Sequence, residues 1–78
     1  MTRTIELTEE AFRSCREKPT FKLIAALTEA GKGEEIAVVG EDQVMRYEVL
    51  LDILTQEGFE IIEKNRGPGR YRVRAVRG

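Results

Sequence analysis

The sequence contains no histidine and no tryptophan, and Cys15 is the only cysteine among its 78 residues. Without histidine, the chain cannot build the serine-histidine or cysteine-histidine pairs of hydrolases. One cysteine forms no internal disulfide and leaves too few ligands for a structural zinc site. The glycines at 67–69 precede no helix and match no P-loop. We therefore expect no metal, no cofactor and no classical hydrolase or nucleotide-dependent activity.

Long apolar segments are also missing. No run approaches the roughly 20 apolar residues that span a bilayer, and the N-terminal stretch is polar where a signal peptide needs an apolar core. A single free cysteine is compatible with a reducing compartment. The sequence therefore predicts a cytoplasmic protein with no membrane partner. Its 78 residues give room for a single domain, 1–78, with one hydrophobic core.

The net charge of -1 hides an uneven distribution of charged residues. All 14 acidic residues lie in residues 1–63 with seven of the 13 bases, which gives this part a net charge of -7. Residues 64–78 carry the other six bases and no acid, a net charge of +6. The basic end is a candidate contact surface for an anionic partner.

Hydrophobic patterning predicts six main elements. Strands are predicted at 3–7, 36–39, 60–64 and 71–76, helices at 19–30 and 44–57, a short helical turn or structured loop at 8–17, and a turn at 65–69. The order is therefore β-α-β-α-β-β. Right-handed crossovers place both main helices on one face of the sheet and leave the other face open. We expect an α/β (α+β) fold, a two-layer sandwich with a four-stranded mixed sheet.

Each predicted main helix carries an apolar stripe that would face the core. The first stripe comprises Phe21, Leu23, Ile24, Leu27 and Ala30, and the second comprises Val44, Tyr47, Leu50, Leu51 and Leu54. Pro19 suits the first position of the first helix, because the missing N–H is not needed there. We therefore expect both helices to pack through one side.

The last predicted strand alternates between basic and apolar residues. Tyr71, Val73 and Ala75 fall on one face, and Arg70, Arg72 and Arg74 fall on the other. With the apolar set against the helices, the arginines line the open face, where they could hold phosphates of an RNA or an acidic patch on a protein partner. The alternative is that Glu6, Glu60 and Glu63 pair with the arginines across strands. The stripe lacks the paired aromatic residues of a base-stacking sheet.

Cys15 is the only strong nucleophile candidate. Arg13, Arg16 and Lys18 lie near it in the sequence, and the helix predicted from Pro19 begins just beyond. If Cys15 faces that helix start, positive charge and the helix dipole favour its thiolate. If it ends a short preceding helix, the carbonyl end of that helix and burial disfavour the thiolate. The sequence leaves both arrangements open.

The same residues carry a resemblance to the TusA (SirA-like) sulfur-carrier family, which covers nearly the whole chain. The matching segments are 5–7 as the first strand, Cys15, 19–23 at the helix start, 33–42 around the second strand, 58–60, and 71–74 as the last strand. The resemblance implies the sheet order 1-2-4-3. The family motif is Cys-Pro-x-Pro, whereas this chain reads Cys-Arg-Glu-Lys-Pro at 15–19. Aligning Pro19 without a gap puts Arg16 at the position of the family's cysteine.

The resemblance also implies a function. Cys15 would carry a persulfide that it receives from a cysteine desulfurase and passes to an acceptor, and Pro19 would start the helix that steadies the thiolate. The protein would then be a sulfur carrier with sulfurtransferase activity. The alternative function is a non-catalytic interaction module that binds RNA or an acidic protein through Arg70, Arg72 and Arg74.

Overall fold

A computed structural model describes residues 3–13 and 17–78. Its elements are β1 (Arg3–Leu7), α1 (Glu9–Phe12), α2 (Pro19–Glu29), β2 (Glu35–Glu41), α3 (Tyr47–Gln56), β3 (Phe59–Gly67) and β4 (Arg70–Arg77). The predicted order of strands and main helices is confirmed, and α1 is the short helical turn expected after the first strand. None of the helices in this part of the chain is long and apolar enough to cross a membrane.

The four strands form one mixed sheet in the order β1-β2-β4-β3. β1 and β2 run parallel, and β4 lies antiparallel to both β2 and β3. The parallel pair requires a crossover, which α2 supplies, whereas β3 and β4 are joined by a tight hairpin. The expected fold class and sheet order are confirmed. β4 is therefore an interior strand, and β1 and β3 are the edges.

The core lies between one face of the sheet and the helices. Val38 and Val73 are directly opposite each other on β2 and β4, and both are fully buried. The helices contribute the buried side chains of Leu23, Leu27, Leu50 and Leu54 to the same cluster. Because side chains alternate along a strand, the residues between these core positions form a second face, opposite the helices.

The predicted stripe of α2 is wrong at two positions. Leu23, Leu27 and Ala30 are buried, but the Phe21 side chain is 75% exposed and the Ile24 side chain is 39% exposed. At about 100° per residue, Phe21 points about 200° away from Leu23 and therefore lies on the outer side of the helix. The periodicity correctly predicted that these residues are helical, but it overestimated how much of the helix surface is buried.

Two predicted boundaries of the strands and main helices differ from the structure by three residues, and the others differ by two or fewer. α3 begins at Tyr47 rather than at Val44, with the side chain of Asp42 accepting a hydrogen bond from the Tyr47 backbone N–H at 3.3 Å. β3 continues to Gly67, so the predicted turn at 65–69 shrinks to Pro68 and Gly69. The longer strand brings three residues of the predicted turn into the sheet, beside the arginines of β4.

Candidate anion-binding site on the open sheet face

The sheet face opposite the helices, called the open face below, carries the three predicted arginines in register with side chains of the neighbouring strands. Arg74 is aligned with Glu63 of β3, Arg72 with Asn65, and Arg70 with Gly67. On the β2 side the same arginines are aligned with Ala37, Val39 and Glu41. The three arginines therefore have different surroundings, although the sequence pattern treats them alike.

Arg74 is held by two carboxylates of the protein itself. Its Nε donates to Glu35 Oε2 at 3.2 Å, and its Nη1 lies 3.5 Å from Glu63 Oε2. The hydrogen bond and charge of Glu35, with the charge of Glu63, raise the pKa of Arg74 above its ordinary value. The predicted cross-strand pairing is thus confirmed for Glu63. Within residues 3–13 and 17–78, Glu6 and Glu60 make no ion pair with these arginines.

Arg70 and Arg72 are exposed, and neither forms an ion pair with any residue that the structure describes. Their neighbours on β3 are Gly67 and Asn65, which carry no charge and little or no bulk. The result is a surface cleft of about 330 Å³, called the arginine cleft below. It is lined by Val39, Asn65, Arg66, Gly67, Arg70, Tyr71 and Arg72. Two arginine forks without a carboxylate partner among the described residues could donate several hydrogen bonds to an oxyanion.

The hairpin that carries the cleft is fixed to the rest of the fold. Gly69 has φ +69°, a left-handed conformation that the second central residue of a Pro-Gly type II turn requires. The Gly69 carbonyl accepts from the backbone N–H of Asp42 at 3.0 Å. Arg66 Nη2 lies 3.2 Å from Asp42 Oδ2, and the Arg66 guanidinium covers the ring of Tyr47 at 4.7 Å. The cleft is therefore preorganised, and Arg66 serves mainly to hold the hairpin.

Tyr71 forms the floor beneath the cleft. Its hydroxyl donates to the Met45 carbonyl at 2.7 Å, and its ring contacts Tyr47 at 5.5 Å between centroids. Burial, and then the charge of Asp42, raise the pKa of Tyr71 to about 12. Tyr71 is only 3% exposed. It therefore supports the cleft and is not available to stack on a ligand.

Arg77, the last base of the C-terminal segment, has a structural role. Its guanidinium donates to the carbonyl of Leu27, near the end of α2, and to the carbonyl of Glu57, at the end of α3, the latter at 3.0 Å. It also covers the ring of Phe59 at 4.6 Å. The Leu27 carbonyl also accepts from the backbone N–H of Ala30, so Arg77 adds a second donor at the end of α2 and caps the end of α3 at Glu57.

Three of the six basic residues in the segment 64–78 therefore stabilise the fold through contacts with other groups of the protein. Arg66, Arg74 and Arg77 are engaged with groups of the protein itself. Lys64, Arg70 and Arg72 have no ion pair within the described part of the chain. The basic surface offered to a partner is accordingly smaller than the sequence predicted, and it is concentrated at the arginine cleft.

The predicted cysteine site is described only at its helix. Cys15 and Arg16 lie outside the described residues. Pro19 is the first residue of α2, as expected, and Lys18 precedes it as the N-cap without a side-chain hydrogen bond to the first turn. Thr20, Phe21 and Ile24 line an apolar depression of about 290 Å³ beside this helix start. The sequence pattern did not indicate this surface, because it placed Phe21 and Ile24 in the core.

Comparison of the chain with protein-family models, with curated proteins and with solved structures finds no match. Of the predicted site residues in the described part of the chain, Arg70 and Arg72 share one cleft, Arg74 is neutralised beside it, and Pro19 lies at a helix start. Asn65 and Gly67 were not predicted as site residues, because their proximity to Pro68 in the sequence indicated only a turn.

Proposed function

We propose that the protein is a cytoplasmic, non-catalytic interaction module that binds an anionic partner, RNA or an acidic protein, through its C-terminal strand. The observation that carries this proposal is the pair Arg70 and Arg72, exposed on the open face without a carboxylate partner in the described structure. Leaving two guanidinium groups unneutralised on a rigid sheet favours association with an anion. Arg74 contributes less, since Glu35 and Glu63 already hold it.

Retention on heparin-agarose, a generic polyanion, tests this proposal. We expect the double variant Arg70→Ala/Arg72→Ala to elute at clearly lower salt than the wild type, because the contact is electrostatic. The matched control Lys32→Ala/Arg46→Ala removes the same charge from two exposed positions elsewhere. Arg74→Ala should elute close to the wild type. Equal shifts for the double variant and its control would show that only net charge matters and would refute the proposal.

A second candidate function is sulfur relay through Cys15, as the resemblance implies. The specific support is the start of α2 at Pro19, four residues after Cys15, with first-turn N–H groups that Lys18 does not cap. Such a helix start favours a nearby thiolate. The Cys15 thiolate would attack the terminal sulfur of a desulfurase persulfide, forming a new persulfide on Cys15 and releasing the desulfurase thiolate.

Mass spectrometry distinguishes the two functions. After incubation with a cysteine desulfurase and cysteine, sulfur relay predicts one added sulfur atom on Cys15, which a thiol reductant removes. The variant Cys15→Ser should acquire none. An unmodified wild-type protein under conditions that load a known sulfur carrier would eliminate this candidate and leave the heparin result unaffected.

A further inference from the structure

The arginine cleft opens toward a free strand edge. β3 is the outermost strand on its side of the sheet, and in the described chain it pairs with β4 alone. Alternate N–H and C=O groups of β3 therefore face outward without a strand partner. Asn65 and Gly67 of β3 lie between this edge and the two free arginines of β4. The third arginine, Arg74, has Glu63 at the equivalent position of β3 and forms an ion pair with it. The cleft is accessible from the edge at the two small residues, Asn65 and Gly67.

We propose that the arginine cleft and the adjoining edge of β3 form a docking site for an extended acidic segment of a partner protein. The segment adds a short strand along residues 64–67 and directs two carboxylates, two residues apart, toward Arg70 and Arg72. Main-chain pairing orients the segment, and the guanidinium groups select acidic side chains. This inference rests on the proposed function and specifies the chemistry of its partner.

The geometry of a sheet suits this arrangement. Arg70 and Arg72 are two residues apart on one face of β4, which separates them by about 6.7 Å along the strand. Two acidic residues at alternate positions of an added strand have the same separation. An added strand would lie about 10 Å from β4, two strand spacings away. Extended arginine and glutamate side chains together cover that distance, because Gly67 and Asn65 leave the space between them open.

Two features limit the length of the docked segment. A register shift between Ile61 and Glu63 interrupts the ladder on one side, and Pro68, which has no N–H to donate, ends it on the other. Glu63 at the shift and Glu60 beyond it repel further acidic residues. The same irregularity disfavours pairing of two copies through this edge, since bulges disrupt edge-to-edge alignment. A partner segment of about four or five residues fits the site.

An acidic protein segment fits this site better than RNA does. A phosphodiester chain that extends beyond the cleft meets Glu6, Glu41 or Glu63, which lie on the strands around it. Base stacking needs an aromatic side chain beside the phosphates. None of the five aromatic rings is exposed on the open face: Tyr71 is buried beneath the cleft, Phe59 lies in the core, Tyr47 lies beneath Arg66, and Phe12 and Phe21 are on helices. The open face provides charge recognition without a stacking surface.

Fluorescence anisotropy with three labelled probes tests the inference: a ten-residue peptide of alternating glutamate and valine, the same peptide with every backbone nitrogen methylated, and a ten-nucleotide oligo(U) RNA. We expect the acidic peptide to bind the full chain about tenfold more tightly than the methylated peptide, which lacks the main-chain donors. Asn65→Glu places a carboxylate beside Arg72, as Glu63 lies beside Arg74, and should weaken binding about tenfold. Thr4→Glu on β1 is the matched control and should bind as the wild type.

A charge-reversal variant distinguishes loss of the binding site from unfolding of the protein. Arg70→Glu/Arg72→Glu should lose the acidic peptide and gain a peptide of alternating lysine and valine, which a misfolded protein would not do specifically. Equal affinity for the methylated and unmethylated peptides would overturn strand addition. Tighter binding of oligo(U), lost in Arg70→Ala/Arg72→Ala, would overturn the docking inference but support the proposed function. Binding of none of the probes, with no heparin retention, would refute both.

Discussion

Gly40 of β2 offers a sharp test of how the sheet is packed beneath the arginine cleft. A Cβ built at this position lies 2.6 Å from the Cε1, Cζ and hydroxyl oxygen of Tyr71. Real Cβ atoms do not come so close to a neighbour, so Gly40→Ala forces the ring to move. Tyr71 has little freedom, because it is buried and its hydroxyl donates to the Met45 carbonyl.

The cost follows from these contacts. Overpacking a core typically costs 1–3 kcal/mol, and losing a buried hydrogen bond costs about 1–3 kcal/mol. The two costs do not add fully, because a Tyr71 ring that moves away from the added Cβ relieves the clash but loses its hydrogen bond to Met45. We therefore expect Gly40→Ala to lower the free energy of unfolding by about 2–4 kcal/mol. At about 4–8 °C per kcal/mol for a domain of this size, the melting temperature should fall by roughly 8–32 °C.

Urea denaturation and thermal melting followed by circular dichroism measure this effect. Gly31→Ala is the control, since no heavy atom lies within 4 Å of its added Cβ. Replacing Tyr71 by leucine removes the atoms that the Cβ would meet, so Gly40→Ala should cost much less in a Tyr71→Leu background. Without the clash, alanine would stabilise a strand relative to glycine by about 0.5–1 kcal/mol. A Gly40→Ala protein as stable as the wild type, or an equal loss in both backgrounds, would refute the packing argument.

Two further predictions concern the same support structure. Tyr71→Phe should lower the free energy of unfolding by about 1–2 kcal/mol near neutral pH, because the Met45 carbonyl loses its donor. The pKa of Tyr71 is about 12 in the folded protein against an ordinary value of 10.0, so the folded state retains this proton longer than the unfolded state. Wild-type stability should therefore fall as pH rises from 10 to 12, and denaturation at several pH values should show a smaller fall for Tyr71→Phe. Arg77→Ala should cost about 2 kcal/mol in urea denaturation, since the Glu57 carbonyl loses its donor and the Leu27 carbonyl keeps only the Ala30 N–H. Arg77→Lys should restore part of the loss, and an unchanged midpoint for Arg77→Ala would contradict the capping role.

The order of the elements could be predicted from the sequence because it depends on local periodicity. Alternation along 70–75 placed the arginines on one face and Tyr71, Val73 and Ala75 in the core, and a strand dictates this whatever its neighbours are. Pro19 marked the start of α2 for an equally local reason, the fixed backbone of proline. Local patterns failed at Phe21, where the boundary of the buried face depends on what the helix packs against.

Tertiary structure alone decided which arginines are free. The pairing of β3 with β4 shifts by one residue between Ile61 and Glu63. Without that shift, the strands would oppose Lys64 to Arg72 and Arg66 to Arg70, and Glu63 would face the core. With it, the open face receives Glu63, Asn65 and Gly67 from β3. A one-residue change of register moves every following side chain to the other face, and no pattern within a single strand reports it.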